Sequence, residues 1–104
     1  MVRYAESKVK KLSRHIQEFM RHRFNLPVEY LGILRCLEIT KQVNGNKSTS
    51  LNIFSPVRAK EYHIKIKTFT DLERYPEMVL FKGHIDSDGV ISVTDRRGPA
   101  WKYR

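Results

Sequence analysis

Cysteine and long apolar runs are nearly absent from this sequence. A single cysteine, Cys36, excludes an internal disulfide framework, and its apolar neighbours Leu34 and Leu37 predict a buried thiol. No apolar run approaches the roughly 18 residues that a membrane-spanning helix needs, and the first residues lack the apolar core of a secretory signal. We therefore expect a cytoplasmic protein, in a reducing compartment, that does not engage a membrane.

Motifs of enzymes and metal sites are also missing. The sequence has no glycine-rich phosphate loop, no zinc-finger spacing and no Ser/His/Asp order. Its four histidines do not have the spacing of a ligand set, since His15 and His22 would lie about 10.5 Å apart along a helix. We predict no catalytic residue, no metal site and no cofactor, which favours a non-enzymatic protein.

Acidic residues are scarce at the two ends of the chain. The 104 residues include 20 Lys or Arg and 11 Asp or Glu, for a net charge of +9. Residues 1–24 carry seven basic and two acidic side chains, residues 25–95 carry nine of each, and residues 96–104 carry four basic and no acidic ones. Like charges gathered in two segments indicate an anionic partner.

The remaining composition is that of a folded domain. A chain of this length forms one domain, and 40% hydrophobic residues with five Phe and five Tyr argue against disorder. We predict a single α+β domain over residues 1–97 and a flexible basic tail over residues 98–104.

The first segment has the periodicity of an amphipathic helix. From Tyr4 to Phe24, apolar residues recur every three or four positions. They are Ala5, Val9, Leu12, Ile16, Phe19 and Met20. Basic residues fall on the opposite side of the predicted helix, in a stripe roughly 27 Å long. This stripe contains Arg3, Lys10, Lys11, Arg14 and Arg21.

After Pro27 the sequence changes to the short alternating runs of antiparallel strands. We predict five strands, over residues 29–43, 50–55, 60–69, 77–86 and 90–95. Asn44-Gly45 and Asp88-Gly89 predict hairpins, and Thr70 to Glu73 predict one capped helical turn. Gly32 predicts a bulge or bend within the first strand.

These elements predict an α+β fold in which the N-terminal amphipathic helix packs on a curved five-stranded antiparallel meander sheet. The sequence offers no second helix for the other face. We expect that face to be solvated, closed by curvature, or covered by a second subunit. The side chains expected on it are Leu34, Cys36, Met78, Leu80, His63, Lys65 and Lys67.

The leading hypothesis is a small binding module for nucleic acid or another polyanion. The helix stripe would hold phosphates, and the tail interleaves cations with aromatics that can stack unpaired bases. The predicted binding residues are Lys10, Lys11, Arg14, Arg21, Arg96, Arg97, Trp101, Lys102, Tyr103 and Arg104. Such contacts carry no sequence information, so non-specific binding of DNA or RNA is expected.

Two alternatives remain open. One is a homodimer or adaptor that uses the uncovered sheet face as its interface. The other is a small-molecule pocket or an enzyme site between helix and sheet, with His63 and His84 as its ionisable residues.

Overall fold

The computed structural model of the protein describes the backbone of residues 2–96 and the side chains of residues 5–94. Within this range the chain forms four α-helices, six β-strands and one 3₁₀ turn. In chain order they are β1 (Val2–Glu6), β2 (Lys10–Lys11), α1 (Arg14–Phe24), α2 (Val28–Ile33), β3 (Arg35–Val43), β4 (Asn46–Phe54), α3 (Pro56–Glu61), α4 (Phe69–Arg74), the 3₁₀ turn (Pro76–Met78), β5 (Val79–Ile85) and β6 (Ile91–Arg96). The predicted α+β class with an antiparallel, mostly meander-like sheet is confirmed.

The six strands form one antiparallel sheet in the order β1-β3-β4-β5-β6, with β2 also paired to β3. β1 pairs with the end of β3 and β2 with its beginning. Between them, the Ser7 N–H donates to the Glu38 carbonyl at 2.8 Å, and the Glu38 N–H donates to the Ser7 hydroxyl at 2.7 Å. Residues 2–11 therefore act as one interrupted strand along β3.

The N-terminal helix begins at Arg14 rather than at Tyr4. Ser13 fixes this start, because its hydroxyl accepts the N–H of Ile16 at 3.2 Å. The residues before it pair with β3, whose ladder satisfies the backbone groups that a helix would otherwise have satisfied. The helical spacing of Ala5, Val9 and Leu12 was therefore misleading. The predicted end is confirmed, with Asn25 in the left-handed conformation that closes α1.

Two segments that alternate in the sequence are not strands. Residues 28–33 form α2, with Gly32 inside the helix, and β3 starts only at Arg35. The predicted third strand, residues 60–69, contains the end of α3, an irregular segment and the start of α4. Ser55 and Pro56 explain α3, because the Ser55 hydroxyl caps the helix and proline fits its first turn.

The turn predictions are confirmed. Asn44 and Gly45 join β3 to β4 with φ angles of 50° and 82°. At the β5–β6 turn, Gly89 has a φ of 82°, and the Asp86 carboxylate accepts the N–H of Val90 at 3.0 Å. The predicted helical turn is present as α4, although its N-cap is Thr68.

Helices cover both faces of the sheet. On one face, α1 and α2 pack against strand residues that include Cys36, Ile53 and Phe81. On the other, α3 and α4 pack against Leu37 and Val79 in a second cluster. The expectation that no helix serves the second face is therefore wrong, since the β4–β5 connection supplies two. Four side chains expected on an open face are buried inside the chain: Leu34, Cys36, Met78 and Leu80.

The buried thiol of Cys36 is expected to resist modification in the folded protein. Burial raises the pKa of Cys36 to about 12, and the neighbouring Glu38 carboxylate contributes to the rise. Because the thiolate is the reactive form, almost none is present near neutral pH. Ellman's reagent should release colour only after the chain is unfolded in guanidinium. Rapid release of one equivalent from the native protein would contradict the burial.

Candidate anion-binding pocket

The structure separates the residues that the sequence placed in one basic stripe. Lys10 and Lys11 lie on β2, whereas Arg14 and Arg21 lie on α1. Arg96 is the last residue of β6, and its side chain lies outside the described ones. The remaining predicted binding residues near the C-terminus also lie outside the described part of the chain: Arg97, Trp101, Lys102, Tyr103 and Arg104.

Adjacent strand residues point to opposite faces of a sheet, and this divides Lys10 from Lys11. Lys10 forms an ion pair of 3.1 Å with Glu38. Lys11 is in register with Arg35, so both side chains point toward the face that carries α3 and α4. The prediction that Lys10, Lys11 and the α1 arginines form one helical stripe is therefore wrong.

A pocket of about 690 Å³ lies on that second face, where α3 and the segment after it meet Val9, the start of β3 and the end of β4. We call residues 62–68, which connect α3 to α4, the connecting segment. The residues that line the pocket are Val9, Arg35, Phe54, Pro56, Ala59, Lys60, His63, Ile64, Lys65, Ile66 and Lys67.

The lining divides into an apolar floor and a basic rim. The floor consists of Val9, Phe54, Pro56, Ala59, Ile64 and Ile66, and the rim of Arg35, Lys60, His63, Lys65 and Lys67. None of the described residues that line the pocket is acidic. Such a lining is complementary to a ligand with both an apolar part and several negative charges.

The connecting segment begins with a hydrogen-bonded helix end. The His63 N–H donates to the Lys60 carbonyl at 3.0 Å, and the Ile64 N–H donates to the Ala59 carbonyl at 2.9 Å. This pair of bonds is a Schellman motif, which requires a left-handed residue at the position of His63. His63 has a φ of 59°, as the motif requires. The backbone therefore places the imidazole in the pocket lining.

The far end of the connecting segment is held by carboxylates. Asp71 accepts the N–H of Lys67 at 2.8 Å and of Thr68 at 3.0 Å. These two bonds lower the pKa of Asp71 below its usual value. One residue further on, the Phe69 N–H donates to the Glu6 carboxylate of β1. The pocket wall is thus fixed at both ends.

Within the connecting segment, half-buried apolar side chains alternate with exposed basic ones. Ile64 and Ile66 are half-buried and pack against the Leu37 cluster, whereas Lys65 and Lys67 are exposed. The prediction of a strand was wrong, but the predicted alternation between an apolar side and a solvent-exposed side is present at these four residues. In the part of the chain that the structure describes, no acid lies within ion-pair distance of the ammonium groups of Lys60, Lys65 or Lys67.

Arg35 differs from the lysines because its guanidinium is held by the backbone. It donates to the carbonyl of Gly32 at 2.9 Å and to that of Leu34 at 2.8 Å. Both acceptors lie at the end of α2, where unpaired carbonyls are expected. These bonds fix a positive charge beside the pocket, while the lysines remain free to adjust to a ligand.

The two candidate histidines do not meet. His63 lines the pocket, whereas His84 lies on β5 and lines a separate groove of about 230 Å³ with Ser50, Asn52 and Lys82. The expected placement of His63 on a strand beside His84 is therefore wrong. Among the described side chains, no three His, Cys, Asp or Glu lie together in a way that could hold a metal ion.

Sequence reasoning missed this pocket, although a local signal exists. Residues 58–67 contain Arg58, Lys60, Lys65 and Lys67 against the single acid Glu61. This excess disappears when the charge is summed over residues 25–95, where acids elsewhere balance it. A shorter window would have identified the segment as basic.

Comparison of the chain with protein-family models, with curated proteins and with solved structures found no significant match. None of the helices within residues 2–96 is both long enough and apolar enough to span a membrane.

The backbone of His63 is strained, and its side chain lines the pocket. Its replacement should therefore raise the stability of the fold while it weakens binding. Glycine adopts the left-handed conformation without steric cost, so we expect His63→Gly to raise the free energy of unfolding by about 0.5–1 kcal/mol. The same change removes a donor from the candidate rim, so any anion bound there should be held about threefold to tenfold more weakly. Denaturant unfolding and fluorescence anisotropy measure the two effects.

His63→Asn is the matched control, because asparagine also tolerates a positive φ but lacks the imidazole. Because its amide keeps N–H donors, it should bind more tightly than His63→Gly, and its stability should stay near that of the wild type. A loss of stability in His63→Gly would show that the imidazole contributes to packing rather than to the rim.

Proposed function

We propose that this protein is a small non-enzymatic module that binds a polyanion, nucleic acid above all, at the basic rim of the pocket. The observation that carries the proposal is the grouping of Arg35, Lys60, His63, Lys65 and Lys67 around one concavity without an acid among the described lining residues. Positive charge concentrated in this way raises the local concentration of a negatively charged ligand.

Several features favour a polymer over a small anion. The rim cations come from three places in the chain: the start of β3, the end of α3 and the connecting segment. A phosphate backbone offers charges at regular intervals to such a distributed set, and each neutralised phosphate releases a counterion. Lys11 extends the same side of the sheet through its register with Arg35.

The other predicted binding residues have different places in this proposal. Arg14 and Arg21 are exposed on α1, which covers the opposite face of the sheet, so they do not join the pocket rim. For Arg96, Arg97 and the tail, we retain the hypothesis that Arg96, Arg97, Lys102 and Arg104 contact phosphates and that Trp101 and Tyr103 stack bases.

A salt series tests the proposal directly. A labelled single-stranded oligonucleotide should bind at low salt, and the logarithm of its association constant should fall linearly with the logarithm of the salt concentration. If the four Lys and Arg side chains of the rim each neutralise one phosphate, the slope should be about −3. Absence of binding at about 50 mM salt, or a slope near zero, would reject the proposal.

The pocket volume supports a second candidate function. A cavity of about 690 Å³ falls within the usual range for small-molecule sites, and its lining suits an amphipathic anion with one apolar end. Such a ligand would raise the melting temperature of the protein without the steep salt dependence of a polymer. The homodimer hypothesis loses its main support, because Leu34, Cys36, Met78 and Leu80 are buried within one chain.

A further inference from the structure

The apolar floor of the pocket is not complementary to phosphate groups. Val9, Ile64 and Ile66 are half-buried, and they pack around the buried cluster that includes Phe54 and Ala59. Apolar surface beneath a basic rim contributes to the free energy of binding only when an apolar part of the ligand covers it and excludes water. A ligand that offered phosphates alone would leave this floor in contact with water.

Duplex and single-stranded nucleic acids differ in this respect. In a duplex the bases are paired and stacked, so the outer surface presents phosphates, sugars and base edges. In a single strand the flat faces of bases are available to apolar and aromatic side chains. Enzymes that capture single bases hold them between apolar side chains in a similar manner.

We propose that the pocket receives an unpaired base, so that the protein prefers single-stranded to duplex nucleic acid. This inference depends on the proposed function and specifies its ligand. The base lies over the floor formed by Val9, Ile64 and Ile66, and the flanking phosphates lie on the rim lysines. Ile64 and Ile66 alternate with Lys65 and Lys67 along the connecting segment, so one stretch of chain contacts both parts of a nucleotide.

The size and charge of the site fit this occupant. The volume of about 690 Å³ exceeds what a lone phosphate needs and lies in the range of pockets that enclose small organic ligands. Lys60 lies at the end of α3, and His63, Lys65 and Lys67 lie on the connecting segment. Cations supplied by these separate elements suit a strand whose phosphates flank the base.

The decisive experiment compares three probes of equal length: a single-stranded oligonucleotide, the same strand with abasic sites in place of its bases, and the corresponding duplex. All three carry the backbone phosphates, but only the first offers unpaired bases. At low salt we expect the abasic strand and the duplex to bind about tenfold or more weakly than the intact strand. The salt slopes of the intact and abasic strands should be similar.

The outcomes distinguish a failure of the base pocket alone from a failure of both proposals. Equal binding of the intact and abasic strands, or equal binding of the duplex, would overturn the base pocket while leaving polyanion binding in place. Binding of none of the probes would reject both. Retention on vesicles that contain phosphatidylserine, without binding of any oligonucleotide, would assign the floor to lipid chains and also overturn both.

A pair of variants locates the effect in the floor. Ile66→Ala shortens a side chain of the floor and should weaken binding of the intact strand about fivefold while leaving the abasic strand unchanged. Val57→Ala is the matched control, because Val57 is 53% exposed on α3 and does not line the pocket. If both strands respond equally to Ile66→Ala, the floor does not hold a base. Thermal melts verify folding, and the probe comparison on the wild type needs no variant.

Discussion

The double variant Lys60→Glu/Lys65→Glu should bind single-stranded oligonucleotide about a hundredfold to a thousandfold more weakly than the wild type at low salt. The change removes two rim cations and places two carboxylates where phosphates would lie, and like charges brought together in an interface cost several kcal/mol. Both lysines are exposed and have no ion-pair partner among the described residues, so the fold should persist. Fluorescence anisotropy across a salt series measures the loss.

Arg14→Glu/Arg21→Glu is the matched control, since it changes the net charge by the same amount on the opposite side of the sheet. We expect it to weaken binding less than about fivefold, through the long-range field alone. The two double variants also decide between the pocket rim and the helix stripe that the sequence suggested. If the α1 variant loses binding and the pocket variant retains it, the pocket is not the site.

Gly83→Ala should destabilise the protein by about 1–3 kcal/mol. A Cβ atom on Gly83 would lie 2.5 Å and 2.8 Å from two ring carbons of Phe81, and 3.1 Å from the carbonyl oxygen of Ser92. Phe81 is buried, and its ring makes edge contacts with the rings of Phe19 and Phe24. The ring therefore cannot move aside without disturbing the packing of α1 on the sheet.

Gly32→Ala provides the comparison for this prediction. Gly32 lies in α2. Apart from its chain neighbours and the backbone of the same helix, no heavy atom of the described residues would lie within 4 Å of an added Cβ. Alanine is the better helix former, so we expect Gly32→Ala to be neutral or to stabilise the protein by up to about 1 kcal/mol. Denaturant unfolding measures both variants. A Gly83→Ala protein as stable as Gly32→Ala would show that the Phe81 ring can be accommodated elsewhere.

The features that the sequence predicted well are those determined by neighbouring residues. Asn44-Gly45 specifies its turn through backbone preference, and Asp88-Gly89 does so together with the nearby Asp86 carboxylate. The predicted end of the N-terminal helix at Phe24 is also present, and Asn25 closes the helix in the left-handed conformation. Such signals do not depend on how distant parts of the chain pack, and the structure confirms them.

The sequence predictions were wrong where tertiary contacts decided which backbone conformation a short periodic segment adopts. Ala5, Val9 and Leu12 have helical spacing, but residues 2–11 pair with β3, and the stronger capping residue is Ser13. Ile64 and Ile66 alternate as strand residues do, although the chain around them is an irregular segment between two short helices. Short alternating stretches fit several backbone conformations, so periodicity alone could not distinguish them.

The candidate pocket could not be assembled from sequence alone. Val9, Arg35, Phe54 and Ile66 are distant in the chain and meet only because β2 pairs with β3 and the β4–β5 connection folds back over the sheet. Its basic character could have been detected in residues 58–67, but its apolar floor could not, because burial depends on the complete fold.

The two apolar clusters on either side of the sheet are unequal, and this has a consequence for how the pocket responds to a ligand. Among the side chains of residues 5–94, the cluster beneath the pocket contains six buried ones, while the cluster under α1 and α2 contains twelve. Regions that bury less apolar surface open more often by local fluctuation. The pocket therefore lies on the side of the sheet that opens more often. A ligand that covers its floor would reduce these fluctuations, while the side around α1 would change little.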